Sequence, residues 1–349
     1  MRLVATTLSG NREKIIEDAL RSVCAWVDVC LLIDLGATDS SIERARGVAG
    51  EKLVVRRFEW SDDYGAARNF ALDAATELGA DWAVTVDTDE RIQLSGCDIR
   101  EELERANEGV LYVPDAARNY VKERFFKLPM TERWQGPIHE AFAAYKVGHR
   151  TLAGITFSEL AKPPEAMAQR FARDVQALTR YSAAHPEDPR WHFYLGESHR
   201  NLGHHEPAVT AYDRCAALRG WDEESAWACY RAAECLCNLG RPSEALDRCV
   251  AGLSRHAGVA ELAWLAGYIC FQLHRDVQAT YWARLAIVHG CFRGDGETLP
   301  RIGFRHPPAL WEGPYDVLRW AERRLGNTAA ADEAEQLWLE AKAARERPA

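Results

Sequence analysis

Short apolar runs and amphipathic stretches take turns along residues 1–90. Leu3 to Thr6 reads as a strand. Ile15, Ile16, Ala19, Leu20 and Val23 carry helical spacing within a segment from Ile15 to Val27. Val27 to Ile33 predicts a second strand, Ser40 to Val48 a helix and Leu53 to Val55 a third strand. Ala66 to Leu78 is again helical, and Trp82 to Val86 is a fourth strand that charged residues stop. This βαβαβαβ rhythm predicts a Rossmann-like, mostly parallel sheet covered by helices. Residues 109–160 change character. Strand-like runs from Gly109 to Val113 and from His149 to Phe157 flank a loop-rich middle, and predict mixed additions to the sheet.

From about residue 165 the pattern is helical to the end. Pro163-Pro164 breaks the chain, because successive prolines cannot sit inside a helix. The expected domains are therefore 1–164, α/β, and 165–349, all-α. The second half repeats itself. Leu195-Gly196, Gly203, Ala208 and Tyr212 stand at the spacing of a tetratricopeptide unit, and Ala233, Gly240 and Ala245 reproduce those offsets thirty-seven residues on. Ala266-Gly267 with Ala279, and Gly326 with Ala331, extend the series, while a Gly/Pro-rich stretch from Gly290 to Pro314 interrupts it. Small residues at these places let two helices of a hairpin approach closely, so Leu195-Gly196, Ala208, Ala245 and Ala279 are expected at buried helix contacts.

Composition narrows the function. Hydrophobic residues make up 47% and charged residues 27%, which is ordinary for folded domains and argues against extensive disorder. The net charge of -9 gives no basic footprint for nucleic acid. No run approaches the roughly 18 apolar residues of a membrane span, and the N-terminus turns polar too soon for a signal peptide, so a cytoplasmic protein is expected. Ten cysteines lack paired zinc spacing and mostly sit singly within apolar helical patterns, which reads as packing in a reducing compartment.

The residues that carry chemistry cluster at strand ends. Asp87-Thr88-Asp89-Glu90 directly follows the fourth strand. Carboxylates at the carboxyl end of a parallel strand point into the crevice where such sheets bind ligands. Two acids one residue apart can share Mg²⁺ or Mn²⁺ with a diphosphate, or can be a solvated turn. Asp34 ends the second strand before Gly36 and Asp39, so it can accept from a ribose or base, or simply shape the turn, while Asp39 can cap the next helix. Asp62 or Asp63 is placed to cap the helix that contains Arg68. Arg68 can reach a diphosphate or pair with a nearby acid.

Taken in order, these segments resemble the family 2 glycosyltransferases of GT-A fold. The resemblance runs from about Val4 to Glu140. It rests on Ala5-Thr6-Thr7 with Asn11-Arg12-Glu13, on Ile33 to Asp39, on Ala67-Arg68-Asn69, on Val84 to Glu90, and on Trp134 to Glu140. It implies a nucleotide-sugar donor, most simply UDP-linked, bound by Thr6, Asp34, Arg68, Asp87 and Asp89. It implies Mg²⁺ or Mn²⁺ on Asp87 and Asp89, with His139 as a further metal ligand or an acceptor-positioning group. Glu140 is implied as the general base of an inverting hexosyl transfer, Glu90 as a support of the acidic motif, and Arg124 and Trp134 as phosphate and sugar contacts. Ile138-His139-Glu140 and the repeats are similar to a subgroup that includes peptide S-glycosyltransferases acting on bacteriocin precursors. The acceptor implied is a hydroxyl or thiol on a peptide, a saccharide, a lipid or a small molecule, with the repeats offering a concave surface for a peptide or for homo-oligomer formation. Many relatives carry a further His before the helices, where this chain reads Ile155 to Glu159, so His139 alone, water or Glu159 would complete the metal's ligands. A competing reading makes the repeats the working part and the α/β domain a degenerate nucleotide-sugar binder.

Overall fold

The structure, a computed structural model, describes residues 1–118, 120–161, 164–294 and 304–347. It divides into two compact units, Met1–Met167 and Ala168–Ala349. Pro163 lies outside the described residues.

The first unit runs β1 (Leu3–Ser9), α1 (Ile16–Cys24), β2 (Val29–Asp34), α2 (Ser41–Ala49), β3 (Leu53–Arg57), α3 (Tyr64–Glu77) and β4 (Trp82–Thr85). It continues with β5 (Glu90–Leu94), α4 (Ile99–Arg105), β6 (Val110–Pro114), β7 (Val121–Lys127), β8 (His149–Thr151) and β9 (Ile155–Glu159). One sheet takes the order β3-β2-β1-β4-β7-β6-β8, and β5 pairs with β9 in a second. The strands β3, β2, β1 and β4 are parallel, while β7 joins β4 antiparallel. The predicted parallel sheet with mixed additions is what forms. Alternate strand residues feed two faces. Leu3, Ala5, Leu32 and Val84 pack against α1, α2 and α4. Val4, Leu31 and Ile33 pack against Ala71, Leu72 and Ala75 of α3. Each such Leu, Ile or Val, fully buried, contributes about 1.5–3 kcal/mol.

Three differences from the pattern have physical causes. β1 runs on to Ser9 because Leu8 and Ser9 pair with Ile33 and Asp34. The strand-like run from His149 to Phe157 is two strands of different sheets, split at Gly154 with φ +71°. The strands β5 and β7 escape a hydrophobic reading because buried charges stand among their buried apolar residues: Glu90, fully buried against Arg124 and Lys122 of β7, shares the inner face of β5 with Ile92, and Arg124 precedes the buried Phe125 and Phe126.

The second unit is helical throughout its described residues. It comprises α5 (Pro164–Ala184), in whose first turn the units divide, then α6 (Pro189–Asn201) and α7 (His205–Leu218), α8 (Asp222–Asn238) and α9 (Pro242–Arg255), and α10 (Ala260–Gln272) and α11 (Asp276–Val288). A short α12 (Pro307–Leu310) precedes α13 (Gly313–Arg324) and α14 (Thr328–Arg345). Gly196 faces Tyr212 so closely that a Cβ would stand 2.6 Å from the ring. Ala208, Ala245, Ala279 and Ala331 are fully buried, as their spacing predicts, whereas Leu195 is only half-buried. The turn inside each hairpin uses a left-handed residue: Gly203, Gly240 and Gly326 in three, and His274 with φ +56° in the third of the series. Between α11 and α13 the chain lays Phe304 against Phe193 and Trp227, with its ring stacked 5.7 Å from the Trp227 ring. The predicted interruption from Gly290 to Pro314 is therefore a packed segment where it is described; residues 295–303 lie outside the described residues.

Candidate active site

Strand order reverses between β1 and β4. The chain steps outward from β1 to β2 and β3, then returns to the other side of β1 for β4. Loops after β1 and β4 must diverge there, which opens a crevice at the carboxyl ends of the strands. Asp87 lies two residues past β4, and Asp34 is the last residue of β2.

The turn after β4 is clasped at both ends. Glu90 N–H donates to the Asp87 carbonyl at 2.9 Å, and Asp87 N–H donates to Glu90 Oε2 at 3.1 Å. Glu90 is buried, and burial and the Asp87 charge push its carboxyl above the usual range, with Arg124 and Lys122 opposing. Asp87 is half-buried. Burial would raise its pKa, but Arg68 and then Arg124 hold it well below the usual carboxylate range, so it stays an anion. Asp89 is half-exposed, and its carbonyl accepts the Leu160 N–H at 2.8 Å.

Arg68 joins this turn to a second loop. Its Nη2 donates to Asp87 at 3.1 Å and its Nε to Glu140 Oε1 at 2.6 Å, with the guanidinium 5.3 Å from the Trp134 ring centre. The helix that carries it starts as predicted, with the Asp63 side chain accepting the Ala66 N–H at 2.8 Å. The first N–H groups of α3 then dock the second loop: Tyr64 donates to the Pro137 carbonyl and Gly65 to the Gly136 carbonyl. Only glycine fits at residue 65, since a Cβ there would sit 2.6 Å from the Gly136 oxygen. Asn69 finishes the joint by accepting from Trp134 N–H and donating to its carbonyl. Gln135 and Ala141 exchange backbone hydrogen bonds of 2.9 Å, which closes the loop that presents His139 and Glu140. His139 holds φ +50°, a strained value for a residue with a Cβ and one that clusters at functional sites.

Asp34 is 7% exposed and heavily engaged. Its Oδ1 accepts from Gly36 N–H at 2.9 Å and Ala37 N–H at 2.7 Å, and its Oδ2 takes Arg57 at 2.6 Å. Burial opposes ionisation, yet the Ala37 N–H, Arg57 and the Gly36 N–H keep its pKa below the usual range. Of about four lone-pair positions on a carboxylate, one is left for a ligand. Asn11 ties the loop after β1 to this one, accepting the Thr38 N–H at 2.7 Å. Asp39 performs the cap from one place earlier than the helix boundary suggests, taking the N–H and hydroxyl of Ser41.

The structure thus brings Arg68, Asp87 and Glu140 into contact and sets Asp89 and His139 on the same two loops. Thr6 stands apart: it is buried within β1, its hydroxyl directed to the Val84 carbonyl at 3.5 Å. Arg124 is buried against Glu90, and Trp134 is buried among Phe126 and Phe142, so both support the loops from beneath. Glu159 pairs with Lys122 and accepts from the Tyr120 hydroxyl. Glu90 and Arg124 were visible in sequence, but their ion pair, the role of Lys122 and the Arg57 clamp on Asp34 were not; a charged residue at alternate positions of a strand was the available signal.

Among the described residues no three His, Cys, Asp or Glu side chains form a ready-made metal cage. The donor set still suits a hard cation, because Mg²⁺ and Mn²⁺ sites built on one or two carboxylates take their remaining oxygens from substrate phosphates and water.

Residues 9–157 match the family described as glycosyl transferase family 2. A 96-residue stretch is 34% identical to the TPR repeat-containing protein Synpcc7942_0270 of Synechococcus elongatus, covering 27% of this chain and 22% of that protein, so the chain spans only about a fifth of the curated relative's length. Among solved structures, MamA is similar over 53% of this chain and 98% of its own, with 15% identity and a TM-score of 0.41. YrrB, a TPR protein with an unusual peptide-binding site, is similar over 50% of this chain and 79% of its own, with 9% identity and a TM-score of 0.38. No helix among the described residues is long and apolar enough to cross a membrane.

Proposed function

Residues 9–157 belong to glycosyl transferase family 2, with tetratricopeptide-like helical repeats after them, and from this premise we propose that the chain moves a hexose from a UDP-linked donor to a hydroxyl or thiol, with inversion. The observation that carries the reading is the Asp87–Arg68–Glu140 chain of ion pairs at the strand-order reversal. One carboxylate lies on the side where a diphosphate would sit, the other on a separate loop, and a single guanidinium fixes their spacing.

In this reading the nucleoside lies over the end of β2, where Asp34 offers its remaining lone pair. Asp87 and Asp89 would hold Mg²⁺ or Mn²⁺ together with donor phosphate oxygens. Held there, the ion would supply positive charge against the negative charge that develops on a leaving diphosphate. Arg68 stays protonated, because Asp87 and Glu140 outweigh the burial that would lower its pKa. It therefore positions both carboxylates rather than moving a proton. Glu140 uses Oε1 for Arg68, and its Oε2 is the atom that would take the acceptor's proton. His139 adjoins it and is the candidate for a further metal contact or for orienting the acceptor. A peptide acceptor, and self-association, are both suited to a stack of helical hairpins, whose repeats build extended surfaces.

Calorimetric titration with UDP tests the donor half of this reading. Binding that strengthens markedly with Mn²⁺ and weakens in Asp34→Ala is expected. Equal, weak heats for wild type and variant, with and without Mn²⁺, would remove the UDP assignment.

A further inference from the structure

We propose that Cys24 and Cys30 form a reversible intramolecular disulfide, so that the junction of α1 and β2 is a site of thiol oxidation. Both are free thiols, and their sulfurs lie 3.0 Å apart. A disulfide bond is about 2.05 Å long, so about 1 Å of approach closes it. Five residues separate the pair, and the turn between them is held from below by Lys52, whose Nζ donates to the carbonyls of Cys24 and Val27, both at 2.8 Å.

The two thiols differ in the way a reactive pair requires. Cys24 ends α1 and is half-buried, so an oxidant reaches it; Cys30 is fully buried beneath it on β2. The hydrogen bond from Cys30, opposed by burial and helped by the Lys52 charge, holds the Cys24 thiol below its ordinary pKa. The same contact and burial push Cys30 up. Cys24 is then the attacking thiolate and Cys30 the protonated partner that resolves it. The repeat-domain thiols Cys229 and Cys235 are buried and pushed up to about 11, away from the thiolate form.

With hydrogen peroxide as oxidant the steps balance. The Cys24 thiolate attacks one peroxide oxygen, the O–O bond breaks, and with one proton the products are a sulfenic acid and water. The Cys30 sulfur then attacks the Cys24 sulfur, the S–O bond breaks, and the expelled hydroxide leaves as water with the Cys30 proton. Two thiols lose two electrons and one peroxide becomes two waters. A dithiol such as dithiothreitol reverses the change by exchange. The closed loop would fasten the end of α1 to the strand that carries Asp34, independently of whether the chain transfers sugar.

Both cysteines fall on one tryptic peptide, Ser22 to Arg44. The whole protein is treated with sub-millimolar peroxide, the peroxide is removed, and the protein is then unfolded in urea so that buried thiols react, alkylated without reduction, digested and weighed. The expected peptide lacks both alkyl groups and is lighter by two hydrogens than its reduced form, returns to the doubly alkylated form after dithiothreitol, and is accompanied by fully alkylated Cys229 and Cys235. In Cys30→Ser, dimedone should trap the Cys24 sulfenic acid. Double alkylation of the wild-type peptide after peroxide, direct passage of Cys24 to a sulfinic acid, or a cross-link from Cys24 to any other cysteine would overturn the proposal.

Discussion

Arg68 and Glu140 meet at 2.6 Å across seventy-two residues of sequence, and the other arm of the same guanidinium holds Asp87 at 3.1 Å. The loop after β4 and the loop from Gln135 to Ala141 are therefore one assembly. Replacing Arg68 by Gln removes the ion pair from Glu140 and leaves Asp87 to the more distant Arg124 at 3.9 Å. Donor turnover is expected to fall by about 10²-fold or more, as when a charge-positioning group is lost. Chemical unfolding should show a loss of roughly 1–3 kcal/mol, the scale for charged hydrogen bonds at a largely buried site. Unchanged turnover in Arg68→Gln would show that the ion pairs are only structural.

The Glu140 and His139 roles separate by substitution. Glu140→Gln keeps an oxygen for Arg68 but cannot take a proton. UDP affinity by calorimetry should stay within about twofold, while transfer falls by about 10²–10⁴-fold, the range of general-base catalysis. His139→Gly frees the strained backbone, and His139→Ala does not. Loss of Mn²⁺-dependent UDP binding in both variants points to the imidazole itself; loss in His139→Ala alone points to the backbone shape.

Asp34 gives stability a definite pH dependence. Its pKa in the fold lies below the ordinary value of about 3.9. A depressed carboxyl contributes stability that is fully present above the unfolded pKa and is lost as pH falls through the folded one. Urea unfolding of wild type and Asp34→Asn should therefore differ at pH 7 and pH 5, and the gap should shrink below about pH 4. A gap that widens on acidification contradicts the geometry around Gly36, Ala37 and Arg57.

Much of this fold was legible because apolar periodicity marks every parallel strand from β1 to β4 and the helices between them. The capping acid Asp63 and the buried Ala208, Ala245 and Ala279 were legible for the same reason: each is a local requirement of a helix start or a helix contact. What stayed hidden was long-range. β5 and β7 carry the charges Glu90, Arg124 and Lys122 among the buried apolar Ile92, Phe125 and Phe126, which breaks up their strand pattern in sequence. That Trp134 lies under Arg68 rather than facing a sugar depends on Phe126 and Phe142, which no local pattern joins to it. Asp34 was visible as a strand-end acid, but its engagement by Arg57 arises from the register of β2 against β3.

The repeat unit can be probed at two positions. Ala245 is fully buried between α8 and its partner helix α9. Ala245→Leu should destabilise the unit by about 1–3 kcal/mol through overpacking. His274 occupies the left-handed turn position that glycine holds in the other hairpins. His274→Gly should stabilise by about 1 kcal/mol, since a side chain at positive φ is strained there. Opposite signs in thermal or urea unfolding are the expected pattern; two destabilised variants would contradict the turn assignment.

In the proposed reaction the acids after β4 serve a metal-assisted departure of a nucleoside diphosphate. The most direct measurement is the rate at which UDP is released from a panel of UDP-hexoses with Mn²⁺ or Mg²⁺, with excess chelator, and with Asp89→Ala. Release is expected to require the cation, to fall to background in chelator, and to drop by about 10²-fold or more in Asp89→Ala with little change in thermal midpoint, because a half-exposed loop acid contributes little to stability. Full release in chelator, or wild-type release from Asp89→Ala, would contradict that reaction.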